Sequence, residues 1–205
     1  MSKMRTVVVT GSASGMGAAT KARFEADGQR VIGIDIRDAD VVVDLGTAVG
    51  RQAAIDAIEA QSDGASQPGV PMDVVERCLA GDEAGARDAA GAVATYPATK
   101  TALAWWARRN APTADWAGAG IMLNVVAPGA VETPLLQASR EDPVIGHLVD
   151  AFPVPVGRKA SADELAAFVQ FLLGPDARLF CGSVVFVDGG TDAQLRADDF
   201  PQPMA

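Results

Sequence analysis

The chain is predicted to fold as an α/β protein whose parallel sheet carries helices on both faces, and three observations predict it. The first is a valine run, Val7 to Val9, that leads straight into glycines at Gly11, Gly15 and Gly17. A short β-branched run of this kind suits a strand buried on both faces. The second is a return to strand pattern at Val31 to Ile34, after a helical stretch from Ala18 to Ala26 that Asp27-Gly28 ends; together these make a βαβ unit. The third lies near the far end, where Ser161-Ala-Asp-Glu164 has the form of a capping box opening a helix to Leu173, Gly174-Pro175 stops it, and Val184 to Val187 supplies a last strand.

Each element has a local reason. Glycine accepts positive φ and lets another group approach its backbone, so the turn Gly11, Ser14, Gly15, Met16, Gly17 can close tightly and open a helix. Unpaired N–H groups and the dipole at that helix start favour a phosphate. The second strand ends at Asp35, eighteen residues beyond Gly17, near the offset of roughly 20 residues at which a doubly wound, Rossmann-type dinucleotide fold carries its ribose-binding acid. A carboxylate accepts from a ribose 2′-OH and repels a 2′-phosphate, so NAD is expected rather than NADP, with Ile36 beside the acid and Arg37 the residue that could receive a phosphate. Val41 to Val43 gives a third strand, and Gly46 to Gln61 a helix. Between them, Asp44-Leu45 reads either as a helix entry or as a contact for the adenine end of a cofactor.

Ser62 to Pro71 is a Gly/Pro-rich loop, and Met72 to Leu79 and Asp82 to Ala92 read as two short helices with an acidic, solvated face, a helical insertion over about 70–95. Tyr96 to Asn110 is a helix with Pro97 in its first turn and Trp105 and Trp106 as packing anchors. Ile121 to Val126 is a fourth strand, ending at Ala127-Pro128-Gly129. Thr133 to Lys159 lacks regular periodicity but is apolar, as expected of a lid or substrate loop. The tail is polar and expected to be loose.

At 205 residues the chain suits one core, and a single domain over 1–205 is expected. A net charge of −9 argues against nucleic acid, whose binding draws on clustered Lys and Arg. Cys78 and Cys181 read as ordinary buried residues of a cytosolic protein, and His147, the single histidine, makes a His-based metal centre improbable, so no metal is expected. No signal-peptide pattern and no run of 18 apolar residues is present, so a cytoplasmic protein without a membrane segment is expected.

Tyr96-Pro-Ala-Thr-Lys100 places a phenol and an ammonium one helical turn apart. A neighbouring positive charge stabilises the phenolate and brings a group of pKa near 10 toward use as an acid/base at neutral pH. With this pair the chain resembles the short-chain dehydrogenase/reductase family. The resemblance rests on Thr10-Gly11-Ser-Ala-Ser-Gly15-Met-Gly17, Asp35, Asp44-Leu45, Tyr96 to Lys100, Asn124-Val-Val-Ala-Pro128-Gly129-Ala-Val-Glu-Thr133 and Val187-Asp-Gly-Gly190. It implies that Tyr96 exchanges a proton with the substrate oxygen while hydride passes to or from the nicotinamide. It implies that Lys100 holds the ribose hydroxyls, and that Pro128, Gly129, Val131 and Thr133 receive the nicotinamide end. Ile34-Asp-Ile-Arg-Asp-Ala39, the helical insertion and Glu132-Thr-Pro-Leu-Leu-Gln137 resemble more narrowly the bacterial 3α-hydroxysteroid dehydrogenase and carbonyl reductase branch. That implies an NAD-dependent oxidoreductase for a secondary alcohol or ketone, a bulky apolar substrate such as a steroid, and a homodimer rather than the family's usual tetramer.

The resemblance has a gap. The family's two strands between the third strand and the tyrosine, with their Asn-Ala-Gly-like turn, an asparagine and the catalytic serine, are not found; neither Ser62 nor Ser66 follows an apolar run. Removing two strands would open roughly 10 Å of sheet, at about 4.8 Å per strand. Three readings stand: further residues in the molecule around Gly64 to Ser66, which is favoured, a truncated form, or a sheet closed up with the fourth strand beside the first. A binding protein without turnover, and a lyase or epimerase on the same scaffold, are the alternative functions.

Overall fold

The computed structural model describes residues 5–59, 85, 100–143 and 146–198. In chain order its elements are β1 (Thr6–Thr10), α1 (Gly15–Ala26), β2 (Arg30–Asp35), β3 (Val41–Val42), α2 (Ala48–Glu59), α3 (100–110), β4 (Val125–Pro128), β5 (Val131–Glu132), α4 (Pro134–Glu141), α5 (Gly146–Ala151), β6 (Ala160–Ser161), α6 (Ala162–Leu172), β7 (Val184–Val187) and α7 (Thr191–Leu195). They fall into two compact units, one of Met1–Ala65, Pro128–Gly174 and Phe186–Ala205, the other of Ser66–Ala127 and Pro175–Val185. The sheet of the first unit is parallel in the order β1-β2-β3, with Val8 opposite Ile32 and Ile34 opposite Val41.

The first unit's core explains the βαβ pattern. Ile32, Ile34, Val41 and Ala54 are buried together, with Val8, Val43, Leu45, Ala57 and Ile58 packed against them. Phe24 of α1 is fully buried, and burial of such a side chain stabilises by about 1.5–3 kcal/mol. α1 lies on α6, where Arg23 holds both carboxylate oxygens of Asp163 at 2.8 and 2.9 Å. The capping box forms as the sequence predicts: Ser161 Oγ accepts from the Glu164 N–H at 3.2 Å, and Glu164 Oε2 accepts from the Ser161 N–H at 2.8 Å. A second parallel pair, β5 with β6, sets Val131 opposite Ala160.

The structure departs from the sequence pattern at identifiable places. α1 begins at Gly15 rather than Ala18, because the glycines of the turn themselves take up the first helical turn. α2 starts at Ala48, after Asp44 Oδ1 accepts from the Gly46 N–H and the Asp44 carbonyl from the Thr47 N–H. The segment from Thr133 to Lys159 is more regular than its periodicity suggests, since it holds α4 and α5; Thr133 Oγ1 caps α4 through the Leu136 N–H at 3.2 Å, with Pro134 in the first turn. The tail contains α7.

In the second unit Ala102, Ala107 and Ala111 are buried on and just after α3. Trp106 meets Trp116 edge to face at 5.5 Å between centroids. Trp105 is 53 % exposed and anchors no core, contrary to expectation. The fourth strand begins at Val125 rather than Ile121: just ahead of it, the Asn124 side chain takes the Ser183 N–H at 3.0 Å and donates to the Phe180 carbonyl at 2.7 Å. The hydrogen-bonded neighbour of β4 is β7. Cys181 is exposed rather than buried, with its Sγ 3.5 Å from the Ala111 carbonyl. Cys78, Tyr96, the loop at 62–71, and the insertion helices apart from residue 85 lie outside the described residues.

Candidate cofactor site

The glycine turn is built as its spacing predicts. Gly11 and Gly15 have φ of +69° and +53°, conformations that cost a residue with a Cβ roughly 1–2 kcal/mol. At Gly17 a Cβ would lie 2.0 Å from the Gly11 carbonyl oxygen, so the first turn of α1 sits directly on the turn's backbone. Ser14, the N-cap, is extended and exposed, and its hydroxyl makes no capping bond. The first intrahelical bond runs from the Ala18 N–H to the Ser14 carbonyl at 3.1 Å. The N–H groups of Gly15, Met16 and Gly17 therefore have no acceptor within the helix, and no acidic side chain stands in the first turn to compete for them.

Asp35 is tied to this turn. Its Oδ2 accepts from the Ala13 N–H at 3.0 Å and its Oδ1 from the Ile36 N–H at 2.7 Å. The Ala13 bond, then those of Ile36 and Arg37 with the Arg37 charge, hold the carboxyl below the usual range against the opposing effect of desolvation, so it is ionised at neutral pH. The N–H groups of Gly11 and Ser12 both reach the Ile34 carbonyl, at 2.8 and 3.3 Å. The glycine turn and the Asp35 carboxylate are thus one hydrogen-bonded assembly, with Ile36 exposed at its rim.

Thr133 joins that assembly from 118 residues away in sequence. Its Cγ2 lies 3.4 Å from where a Cβ on Gly15 would be. Gly129, two residues before Val131, donates to the Val187 carbonyl at 3.1 Å and leaves no room for a Cβ, which would lie 2.7 Å from Asp188 Cα. Asp188 in turn accepts from the N–H groups of Gly190 and Asp192 at 2.9 and 2.7 Å. The Val187-Asp-Gly-Gly190 end is therefore a buttress for Gly129, a role its Asp-Gly-Gly pattern could have signalled. Pro128 is exposed. Val131 is 5 % exposed, so its side chain belongs to the core and its backbone is what can face a ligand.

The Asp44 carboxylate accepts from the Gly46 N–H at 2.8 Å through Oδ1, as at a helix entry, and Leu45 packs against the core. Lys100 is exposed at the start of the described part of α3, in the second unit, while Tyr96 lies outside the described residues. Lys21 and Asp40, which the sequence patterns did not single out, form an ion pair at 2.6 Å beside Gly33.

Known proteins resemble the chain in sequence and in fold. Residues 79–192 match a family model described as enoyl-(acyl carrier protein) reductase. A 3-alpha-hydroxysteroid dehydrogenase/carbonyl reductase of Comamonas testosteroni is 34 % identical, the match covering 96 % of this chain and all of that protein. Its alignment runs over 259 positions, 54 more than the 205 residues of the chain, so the relative carries internal segments with no counterpart here. Among solved structures, the 3-alpha-hydroxysteroid dehydrogenase of Pseudomonas sp. B-0831 complexed with NADH superposes with a TM-score of 0.86 at 38 % identity, covering 96 % of this chain and all of that one. Levodione reductase superposes with a TM-score of 0.69 at 25 % identity, covering 92 % and 98 %.

Proposed function

The chain belongs to the short-chain dehydrogenase/reductase family, and from that premise we propose that it is an NAD-dependent oxidoreductase interconverting a secondary alcohol and a ketone, with a 3α-hydroxysteroid or another bulky apolar carbonyl compound as its substrate. The observation that carries this reading is the joining of Asp35, the glycine turn and Thr133 in one site.

The donor set fits such a dinucleotide. The N–H groups of Gly15, Met16 and Gly17 and the free Ser14 hydroxyl suit its pyrophosphate. The ionised Asp35 accepts from ribose hydroxyls and repels a 2′-phosphate, which favours NAD over NADP. Ile36, with Asp44 and Leu45, is assigned to the adenine end. The backbone of Pro128, Gly129 and Val131, with Thr133, is assigned to the nicotinamide end. When bound, the dinucleotide supplies the acceptor or donor of hydride. Tyr96 exchanges the proton with the substrate oxygen. Lys100 holds the ribose hydroxyls and, by its charge, lowers the phenol pKa toward neutrality. Among the described residues no helix is long and apolar enough to cross a membrane. A cytoplasmic homodimer completes the proposal.

A second reading, a nucleotide-binding protein without turnover, is favoured by the internal segments the relative has and this chain lacks and by the missing carbonyl-polarising serine. One experiment separates the two. NAD and a 3α-hydroxysteroid are mixed with the purified chain and absorbance is followed at the NADH band. Turnover that collapses in Tyr96→Phe establishes the oxidoreductase, whereas NADH binding with no turnover on a panel of bulky alcohols and ketones replaces it with the second reading.

A further inference from the structure

Beside the glycine turn lies a second polar cluster that the site described above does not use. Asp40 Oδ2 accepts from the Gly33 N–H at 2.7 Å and from Lys21 Nζ at 2.6 Å. Gly33 stands on β2 one residue before the pairing with β3 starts at Ile34, so the Asp40 carboxylate takes the N–H for which β3 has no residue. A Cβ at Gly33 would lie 2.6 Å from Ser12 Oγ and 3.1 Å from both Asp40 Oδ2 and Lys21 Nζ. Groups from the turn, α1 and the loop after β2 thus converge over one glycine. Ser12 is 6 % exposed, and its hydroxyl has no hydrogen-bond partner among the described residues. Asp38, at φ +48°, is the one described residue other than glycine with positive φ, so the loop bends against its steric preference. It is tied at both ends, at Asp35 by Ala13 and at Asp40 by Gly33 and Lys21.

We propose that Asp40 is a positioning residue of the dinucleotide site: it fastens the far end of the 35–40 loop to α1 and β2, and so holds Asp35 and Ile36 in place for the adenosine half of the cofactor, with Lys21 neutralising its charge. The proposal rests on the dinucleotide reading above. Asp40 touches no ligand; it acts through the loop.

The test is a titration with two probes, NADH and ADP-ribose, the latter lacking the nicotinamide. Asp40→Asn keeps the shape and removes the charge. It is expected to raise the Kd of both probes about tenfold, the loss of one charge-assisted hydrogen bond, and to raise the KM for NAD without lowering kcat. Asp40→Glu should recover part of the loss. A folded Asp40→Asn chain with both Kd values within twofold of wild type overturns the proposal, since a merely structural residue would lower Tm and leave ADP-ribose affinity alone. If that variant fails to fold, Lys21→Met, which keeps the Gly33 bond, is expected to weaken ADP-ribose about threefold, and an unchanged Kd there overturns the proposal equally. A wild-type chain that binds neither probe overturns the dinucleotide reading itself.

Discussion

Gly17→Ala is the smallest change that should disable the site. A Cβ there would stand 2.0 Å from the Gly11 carbonyl oxygen and 2.6 Å from its carbon, where ordinary contact begins at 3.4 Å. The obstacle is backbone, not a side chain that can swing away, so α1 and the turn must separate by more than an ångström. Overpacking of this kind costs about 3 kcal/mol at the upper end of its usual range. Alanine returns about 1 kcal/mol of helix propensity. The net loss of about 2 kcal/mol lowers Tm by about 4–8 °C in a chain of this size. The same displacement pulls the N–H groups of Gly15 and Met16 off a phosphate, and losing one such charged bond weakens NADH binding by at least about tenfold. Gly28→Ala is the control. Gly28 has φ +73° but no atom within 4 Å of a Cβ, so strain alone applies, about 1 kcal/mol, and NADH affinity should hold. Thermal melts and NADH fluorescence titrations of both variants read the outcome. A Gly17→Ala chain as stable and as tight as wild type would refute the close packing of helix on turn.

Other consequences follow from the α6 cap. Ser161→Ala removes the hydroxyl that accepts from Glu164 and should cost about 1 kcal/mol, seen as a Tm lower by about 2–4 °C. Glu164 is held at a pKa of about 2, from an ordinary 4.5, first by hydrogen bonds from Arg158 and then by the Ser161 N–H. Because its folded pKa is depressed, its contribution is complete above pH 4.5 and is lost as pH falls toward 2. Chemical denaturation across that window should therefore show a shallower acid slope in Glu164→Gln than in wild type. Tyr96→Phe should bind NADH as wild type does and lose turnover, as read by paired titration and absorbance assays.

Where one residue type in one local pattern decides the backbone, the sequence was legible. Gly11, Gly15 and Gly17, the Ser161–Glu164 box and the β1-α1-β2 unit all form as their spacing requires. The offset from Gly17 singles out Asp35, but its bond to Ala13 is a tertiary fact no spacing contains. α4 was missed because its stretch of 8 residues is short, yet Thr133-Pro134 is a helix-start signature that could have revealed it. Asp40 and Lys21 were missed because an ion pair between a helix and a loop 19 residues apart leaves no periodic trace. Trp105 shows the same limit in reverse: an aromatic in an alanine-rich helix reads as an anchor, but which face is covered depends on partners that periodicity does not name.

The most direct test of the account is a calorimetric titration of the wild-type chain and Asp35→Ala with NADH and with NADPH. One NADH per chain is expected, bound more tightly than NADPH by wild type. In Asp35→Ala, NADH should weaken by about tenfold, as expected for loss of a hydrogen bond to a charged group, and the preference over NADPH should narrow as the repulsion of a 2′-phosphate is removed. Absence of NADH binding by the wild-type chain, or a preference for NADPH that Asp35→Ala leaves unchanged, would contradict it.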